Sequence, residues 1–185
     1  SGNVSFYNGT NKKSIFPTPV IGGVGLIKKL TKPMDHRFKK ENSAIIVVGK
    51  TFGHLEQSAL FEEVYSIFEG RPPEVNLINE KNNGEAILKI INSDLVNSVH
   101  DVSSGGLLTA LAEMSISSNI GISVDKPKKL INFFEYFFGE DQSRYILEID
   151  LENLKNVEKI LEENNVFFEK IGATQKTFFE IKKEI

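Results

Sequence analysis

Short apolar runs alternate with helical apolar stripes along the chain. Runs of strand length predict β-strands at residues 20–27, 44–49, 95–99, 121–124, 144–149, 166–171 and 177–181. Apolar residues at helical spacing predict helices at residues 58–68, 81–91, 107–114, 130–138 and 151–163. Strands and helices alternate without a strict βαβ repeat. The pattern therefore predicts an α+β fold, a layered α/β sandwich with a mixed β-sheet.

The central feature is the stretch that links the predicted strand 95–99 to the predicted helix at 107. His100 and Asp101 follow the strand, Ser103-Ser104 offers hydroxyls that could cap the helix, and Gly105-Gly106 completes the turn. A helix N-terminus with nearby glycines can bind a phosphate or a carboxylate through free backbone N–H groups. The glycines could equally serve close strand–helix packing alone, and the residues leave both interpretations open.

Composition narrows the possible functions. The net charge is −3 and the lysine pairs are scattered, which argues against nucleic-acid binding. The chain has no cysteine, which excludes disulfides and a thiolate nucleophile within it. No apolar run reaches the length of a bilayer, so we expect no membrane partner. The paired phenylalanines between residues 133 and 179 are expected in the core.

The N-terminal region differs in composition from the remainder. Residues 1–18 are polar and rich in turn residues, as in a loop that contacts a ligand or a partner. Residues 20–27 combine three glycines with apolar residues, which suggests a strand with a close backbone neighbour. The charged stretch 31–40 contains Pro33 and marks the expected domain boundary. The chain begins Ser-Gly rather than with Met, and we expect it to be a truncated piece of a longer protein.

Five segments together resemble one enzyme superfamily. The stretch from His100 to Met114 resembles the C-terminal domain of the aminoimidazole ribonucleotide (AIR) synthetase superfamily, and within it the synthetase subunits of phosphoribosylformylglycinamidine synthases. The four further segments that support this resemblance occur in the family's order and are Gly2–Asn8, Pro17–Gly22, Gly70–Pro73 and Phe138–Arg144. The resemblance implies that residues 1–38 are the tail of a preceding ATP-binding-type domain and that residues 39–185 are a C-terminal domain.

The resemblance also implies a reaction and partners. Such enzymes convert formylglycinamide ribonucleotide, ATP and ammonia into formylglycinamidine ribonucleotide, ADP and phosphate in purine biosynthesis, with ATP and Mg²⁺ as cofactors. The expected partners are a glutaminase subunit, a small accessory subunit and the rest of the chain's own subunit. The expected compartment is the cytoplasm, and this piece is expected to be inactive alone.

Site residues carried over from the family lie in two segments. In the first, Gly2 is expected to contact ATP, Asn3 to hold Mg²⁺ and Ser5 to contact the substrate; each residue type suits its role. In the second, the residues expected at a phosphate-facing edge are His100 as a catalytic residue, Asp101 and Ser103 for substrate, and Gly105 and Gly106 for the nucleotide.

Two departures from the family pattern affect this expectation. Ser104 stands where an acidic residue is common, and Leu55-Glu56-Gln57-Ser58 stands where a Gly-Gly-Ser is usual. The second departure removes two flexible positions from a ligand-facing loop. Of that loop, we carry over a role for Ser58 alone.

The sequence also allows two alternative interpretations. The chain could be a non-catalytic half of an internal pseudo-dimer that serves assembly or holds a structural nucleotide, which the altered loop at Glu56-Gln57 would favour. It could also belong to another superfamily member, such as AIR synthetase itself, selenophosphate synthetase, thiamine monophosphate kinase or the hydrogenase maturation factor. The Gly2–Asn8 segment argues against the last three, because they are not expected to contain it.

Overall fold

The chain divides into two compact units, residues 1–33 and 34–185. The computed structural model describes residues 9–10, 13–14, 22–26, 34–125 and 131–182. In the first unit, strands β1 (Gly9–Thr10) and β2 (Lys13–Ser14) form an antiparallel hairpin. Residues 22–26 form neither helix nor strand, and Val24 and Leu26 are fully exposed. The prediction of a strand at 20–27 is therefore wrong for these five residues, since none of the described strands pairs with them.

Within residues 34–125 and 131–182, the second unit is built around a mixed sheet of six strands. Its strands are β3 (Ala44–Val48), β4 (Ser98–Asp101), β5 (Gly121–Val124), β6 (Tyr145–Ile149), β7 (Phe168–Gln175) and β8 (Phe179–Ile181). The spatial order is β4-β6-β3-β7-β5-β8, and the pairs are antiparallel except for β5 with β8. All five residues of β3 are buried, as expected for an apolar run in the middle of a sheet.

Among the described residues of the second unit, four α-helices cover the two faces of this sheet. They are α1 (Leu77–Asn92), α2 (Gly106–Ser118), α3 (Phe133–Phe138) and α4 (Leu154–Glu163). Ile45 and Val47 pack in one core cluster with α2 and α3, and Ile46 and Val48 pack in another with α1 and α4. Because successive side chains of β3 point to opposite faces of the sheet, this one buried strand contributes to both core clusters. The fold is α+β, a layered sandwich with a mixed sheet, as the sequence predicts.

A buried carboxylate attaches the start of the second unit to the sheet. Glu148 on β6 is fully buried and accepts hydrogen bonds from the backbone N–H groups of Lys39 and Lys40, at 2.8 and 2.9 Å. The Ser98 hydroxyl donates a third bond to it, at 2.9 Å. Phe38 is buried in the core beside this attachment.

Two predicted elements near the central stretch are displaced. Strand β4 begins at Ser98, where it pairs with Glu148, so His100 and Asp101 lie inside the strand rather than after it. The Leu95 N–H still bonds to Ile90 at the end of α1. Helix α1 begins at Leu77, four residues before its predicted start, because the Asn76 side chain caps it.

The predicted helix at 58–68 is wrong. This segment contains one π-helical turn, Leu60–Val64, and continues without helix or strand. Its apolar stripe does not reach the core, since Val64 is 67% and Phe68 71% exposed. The prediction that the paired phenylalanines lie in the core is right only in part, because Phe137 is fully buried whereas Phe178 is 81% exposed.

Candidate functional site

Two neighbouring clefts lie where three of the motif segments meet. The smaller has a volume of about 360 Å³ and the larger of about 670 Å³. Both are lined by Pro73, Gln142 and Ser143. The smaller cleft adds residues 101–104 of the central stretch, and the larger adds residues 52–56 and the remainder of Arg71–Glu74. Segments far apart in sequence therefore form one continuous wall.

Asp141 binds the loop that opens the larger cleft. This buried carboxylate accepts hydrogen bonds from three consecutive backbone N–H groups, those of Phe52 (2.8 Å), Gly53 (2.9 Å) and His54 (3.3 Å). Gly53 has φ +82°, a left-handed conformation that lets successive N–H groups converge on one anion. The Glu140 N–H donates to the His54 carbonyl at 2.8 Å and closes the arrangement.

Glu140 occupies the start of the central helix. One of its carboxylate oxygens accepts from Gly105 N–H at 2.7 Å and from Ala59 N–H at 2.8 Å. Helix α2 begins after Gly105, which has φ +84° and no side-chain cap, so the expectation that Ser103-Ser104 caps the helix is wrong. The helix N-terminus already carries an internal anion, which satisfies part of its hydrogen-bonding capacity.

Gly106 serves close packing of α2 on α3. It has φ +73°, and a Cβ there would lie 2.7 Å from the Phe138 carbonyl carbon and 2.8 Å from the Gly139 oxygen. Its N–H donates to the Ser103 carbonyl at 3.1 Å. The requirement for glycine at this position therefore follows from helix packing, whatever ligand the turn binds.

Arg144 is an unusually buried cation. Its side chain is 1% exposed, and its guanidinium donates to the Gly139 carbonyl, to the Asp141 carbonyl at 3.2 Å and to the Thr51 hydroxyl at 3.3 Å. Burial lowers the pKa of this guanidinium, and the nearby Asp141 opposes the shift. Arg144 thus holds together the backbone of the segment that bears Glu140 and Asp141.

Side chains from residues 54–57 hold the Gly70–Pro73 segment. Nε2 of His54 lies 2.7 Å from the Arg71 carbonyl oxygen. The Arg71 N–H donates to Glu56 at 2.7 Å, and the Gln57 amide donates to the Gly70 carbonyl at 2.8 Å. Ser58 is fully buried, and its hydroxyl donates to the Leu55 carbonyl at 2.6 Å.

The predicted residues of the central stretch do not all face the clefts. Asp101, with its side chain 71% exposed, and Ser103 line the smaller cleft. His100 lines neither cleft. Its ring nitrogens lie 3.2 Å from an Asp101 oxygen and 3.0 Å from a Glu113 oxygen, and its ring lies 5.0 Å from that of His36.

Acidic side chains dominate the smaller cleft. Glu80, Asp101 and Glu140 line it, and Arg144 is the one cationic residue among its lining. Because the Arg144 guanidinium is directed to backbone carbonyls, the local charge favours hydroxyl, amine or metal-bound groups over a free anion. The larger cleft is lined by one exposed arginine, Arg71, by the ring of Phe52 and by three carboxylates, Glu56, Glu74 and Asp141. Two of these carboxylates, Glu56 and Asp141, already bind backbone N–H groups.

The other predicted site residues, Gly2, Asn3 and Ser5, lie outside the described residues. In the part of the chain that the structure describes, no group of three or more His, Asp or Glu residues is arranged to hold a metal ion. No helix among these residues is long and apolar enough to cross a membrane. The roles expected for Gly2, Asn3 and Ser5, and those of the residues in the central stretch, stay predictions.

Glu140, Asp141 and Arg144, which organise the walls of the clefts, are not among the site residues predicted from the sequence. A signal was present, because a Gly-Glu-Asp run follows an aromatic helix and an arginine stands at the start of a buried strand. Polar residues in such positions are rare without partners. Which backbone groups they bind depends on long-range contacts that a linear pattern does not reveal.

Comparison with known proteins gives consistent matches. A family model described as "AIR synthase related protein, C-terminal domain" matches residues 40–181. The chain is 52% identical over 172 residues to phosphoribosylformylglycinamidine synthase subunit PurL of Pelagibacter ubique (strain HTCC1062), covering 93% of the chain and 24% of that protein. It is 44% identical over 174 residues to the same subunit of Rhodopseudomonas palustris (strain HaA2), covering 94% and 24%. The chain thus spans about a quarter of these relatives' length.

Solved structures share the fold. Thermotoga maritima PurL complexed with ATP superposes with a TM-score of 0.65 at 16% identity, covering 82% of this chain and 25% of that one. The same protein complexed with FGAR gives 0.63 at 17% identity, covering 77% and 25%. Thiamine-monophosphate kinase from Stenotrophomonas maltophilia K279a gives 0.56 at 15% identity, covering 82% and 53%. At these identities the likeness extends to the fold alone.

Proposed function

The chain belongs to the family of AIR synthase related protein C-terminal domains, and we propose that it is the C-terminal part of the synthetase subunit of a phosphoribosylformylglycinamidine synthase. The observation that carries this proposal is the 52% identity to one such subunit across 93% of the chain. The meeting of three distant motif segments at one pair of clefts supports it, because a ligand site is usually a concave surface built from several segments.

The proposed reaction forms an amidine in two steps. The amide oxygen of formylglycinamide ribonucleotide attacks the γ-phosphorus of ATP, so that ADP leaves and the oxygen carries the phosphoryl group. Ammonia then attacks the amide carbon, the carbon–oxygen bond breaks, and phosphate leaves with that oxygen. Much of the catalysis in such a transfer is positioning and charge stabilisation, which the walls of a cleft can supply.

We assign roles in this reaction to the predicted residues. Asp101 and Ser103 offer acceptors and a hydroxyl to the substrate in the smaller cleft. His100 acts through Asp101, from which it lies 3.2 Å away, by holding that carboxylate or exchanging a proton with it. The nucleotide role proposed for Gly105 and Gly106 rests on the lack of a side chain at the turn, since their N–H groups bind Glu140 and the Ser103 carbonyl. Gly2 is proposed separately to contact ATP.

Mg²⁺ is proposed to reach this site mainly on the phosphates of ATP. The described residues offer no cluster that could hold a metal ion, and a single neutral amide oxygen such as that of Asn3 is a small part of an octahedral set. When bound, the ion neutralises phosphate charge. Ser5 is proposed to contact the substrate, and Ser58 to stabilise the turn that precedes residues 60–64.

Exposed apolar side chains support the proposal that the rest of the subunit covers part of this chain. Val64, Phe68, Leu77 and Ile78 are between 67% and 78% exposed. A concentration of this kind is typical of an interaction surface. We propose the remainder of the subunit as its cover, with the glutaminase and small accessory subunits as further partners. We also propose residues 1–38 and 39–185 as the two domain portions and the cytoplasm as the compartment.

An assay of the natural full-length product tests this function. We expect phosphate release from ATP that requires both formylglycinamide ribonucleotide and an ammonium salt, with none from the 185-residue chain alone. A full-length protein that binds neither substrate nor ATP would contradict the proposal. Omitting each substrate in turn is the control for unrelated ATP hydrolysis.

A second candidate is a non-catalytic half that serves assembly or holds a structural nucleotide. The observation that favours it is the use of the Gly105 N–H by Glu140, which leaves one anion-binding group fewer at the turn. Under this candidate, substitution of Asp101 or Ser103 in the full-length protein leaves kcat and KM unchanged. A change in either parameter favours the catalytic proposal.

A further inference from the structure

Two adjacent side chains hold the backbone of the Gly70–Pro73 segment at the wall of the larger cleft. The Glu56 carboxylate accepts the Arg71 N–H at 2.7 Å, and the Gln57 amide donates to the Gly70 carbonyl at 2.8 Å. Consecutive side chains thus bind two backbone groups of one short stretch. We call this pair of contacts the Glu56–Gln57 clasp.

Gly70 is fitted to this clasp. It has φ +125°, and a Cβ at this position would lie 2.6 Å from the Glu56 Cβ. A side chain at residue 70 would therefore strain the backbone and displace Glu56. The close approach of residue 56 to residue 70 indicates a specific contact rather than two loops that happen to be neighbours.

The conformation of Gln57 supports the same conclusion. Its φ is +55°, in the left-handed region that glycine adopts freely and other residues adopt at a cost. Glycine is usual at this position in the family that the sequence resembles, and here Gln57 adopts the left-handed conformation instead. The Gln57 side chain binds the Gly70 carbonyl, and this bond offsets the strain.

Regular secondary structure does not hold the Gly70–Pro73 segment. Residues 66–76 form neither helix nor strand, and Arg71, Pro72 and Pro73 line the larger cleft. Besides the clasp, the segment is bound through its Arg71 carbonyl by His54 at 2.7 Å. The position of the Arg71 guanidinium, a group suited to phosphate, therefore depends on the side chains of residues 54–57.

We propose that Glu56 and Gln57 are positioning residues, which fix the Gly70–Pro73 segment so that Arg71 can bind a phosphate-bearing substrate in the larger cleft. This inference rests on the proposed function, in which both ATP and the ribonucleotide carry phosphate. It assigns a role to the one loop where the chain departs most from its family pattern.

The test compares variants of the full-length subunit, with ATP, formylglycinamide ribonucleotide and an ammonium salt as substrates. We expect Gln57→Gly and Glu56→Ala each to raise the KM for one phosphate-bearing substrate about tenfold and to change kcat less than about twofold, because each removes a hydrogen bond that positions the binding segment. Gln57→Gly also relieves the left-handed strain, so its melting temperature should not fall. Glu56→Gln keeps an acceptor oxygen for the Arg71 N–H and should retain most of the wild-type KM.

The matched control is Asn165→Gly. Asn165 is exposed, has φ +54° and lines neither cleft, so this change relieves similar strain and should leave KM unchanged. Hydrogen exchange at the Arg71 amide gives an independent readout, and we expect faster exchange in Glu56→Ala alone of the two Glu56 variants.

The outcomes separate this inference from the proposed function. Wild-type turnover with unchanged KM in both Gln57→Gly and Glu56→Ala would overturn the positioning role, even if the Arg71 amide exchanges faster. A fall in melting temperature without a KM change has the same meaning, since it shows a role in stability alone. Absence of turnover in the wild-type protein is a failure of the proposed function, and the inference falls with it.

Discussion

At the scale of single residues, the candidate site depends on carboxylates that bind backbone N–H groups rather than cations. Asp141 accepts three such bonds and Glu140 accepts two. Glu148 likewise accepts hydrogen bonds from two backbone N–H groups, those of Lys39 and Lys40 at the start of the second unit. Hydrogen bonds to an ionised acceptor are stronger than those between neutral groups, so a few side chains can fix loops that have no regular structure.

A buried tyrosine gives a prediction about alkaline pH. Tyr136 is 4% exposed, and burial raises the pKa of its phenol, with the nearby Glu169 adding to the shift. The folded state therefore favours the neutral phenol. Its stabilising effect is complete below the ordinary tyrosine pKa of about 10 and is lost as the pH rises toward the folded-state value.

We expect the free energy of unfolding to fall by up to about 1.4 kcal/mol per pH unit above about pH 10 because of this residue. Tyr136→Phe should remove that part of the slope in denaturant titrations at several pH values. Tyr65→Phe, at a position 54% exposed, is the control. A slope in Tyr136→Phe equal to that of the wild type would show that Tyr136 is not the group responsible.

At the scale of elements, the junction of α2 with α3 is the most constrained part of the site. Gly106 begins α2 against the backbone of Phe138 and Gly139, and Gly105 beside it also has positive φ. The two glycines allow the Glu140 carboxylate to reach the start of the helix. The packing of these two helices therefore determines the position of residues 101–104 and 140–144, which line the two clefts.

Substitution of Gly106 tests this constraint. We expect Gly106→Ala to lower the free energy of unfolding by about 2–4 kcal/mol, because the Cβ meets backbone atoms and φ is positive. The matched control is Gly84→Ala inside α1, where the nearest atom to a new Cβ is 4.0 Å away. That change should stabilise the chain by roughly 0.5–1 kcal/mol. A similar small effect at both positions in urea titrations would contradict the packing role.

The sequence predicts an element well where its apolar residues show that it is buried. It predicts poorly where the element depends on a cap or where apolar residues stay exposed. Strand β3 matches its predicted range to within a residue, because a continuous apolar run buried on both faces leaves little choice. Strand β5 also matches its predicted range, although Gly121 and Ser123 interrupt its apolar residues. The prediction of a helix at 58–68 is wrong because apolar residues can follow helical spacing even where their side chains remain exposed. The start of α1 depends on a single cap, Asn76, within a polar stretch.

The candidate site was predicted in part. Asp101 and Ser103 line a cleft, whereas His100 does not. Both His100 and Asp101 lie inside strand β4 rather than after it, and consecutive residues of a strand point to opposite faces of the sheet. The contribution of Glu140 and Asp141 could not be read from the pattern, since it requires loops 52–59 and 103–106 to be brought beside them.

At the scale of the whole molecule, the described part of the second unit combines a well-packed sandwich core with exposed apolar side chains. Two core clusters fill both faces of the sheet, yet apolar side chains between residues 64 and 78 stay exposed. The relatives it matches are about four times as long. Under the proposed function, the exposed segment and the nearby clefts are surfaces that the remainder of the subunit covers.

The central claim is that this chain supplies the C-terminal part of a working ligase, and a chimera tests it most directly. The chain replaces the matching 172-residue region of the Pelagibacter ubique subunit, to which it is 52% identical. Activity is then measured as phosphate release that depends on formylglycinamide ribonucleotide and ammonia. We predict a kcat/KM within about tenfold of the parent enzyme, because the walls of the clefts are supplied intact. A folded chimera of parental melting temperature that binds ATP and the ribonucleotide but does not turn over would contradict the account.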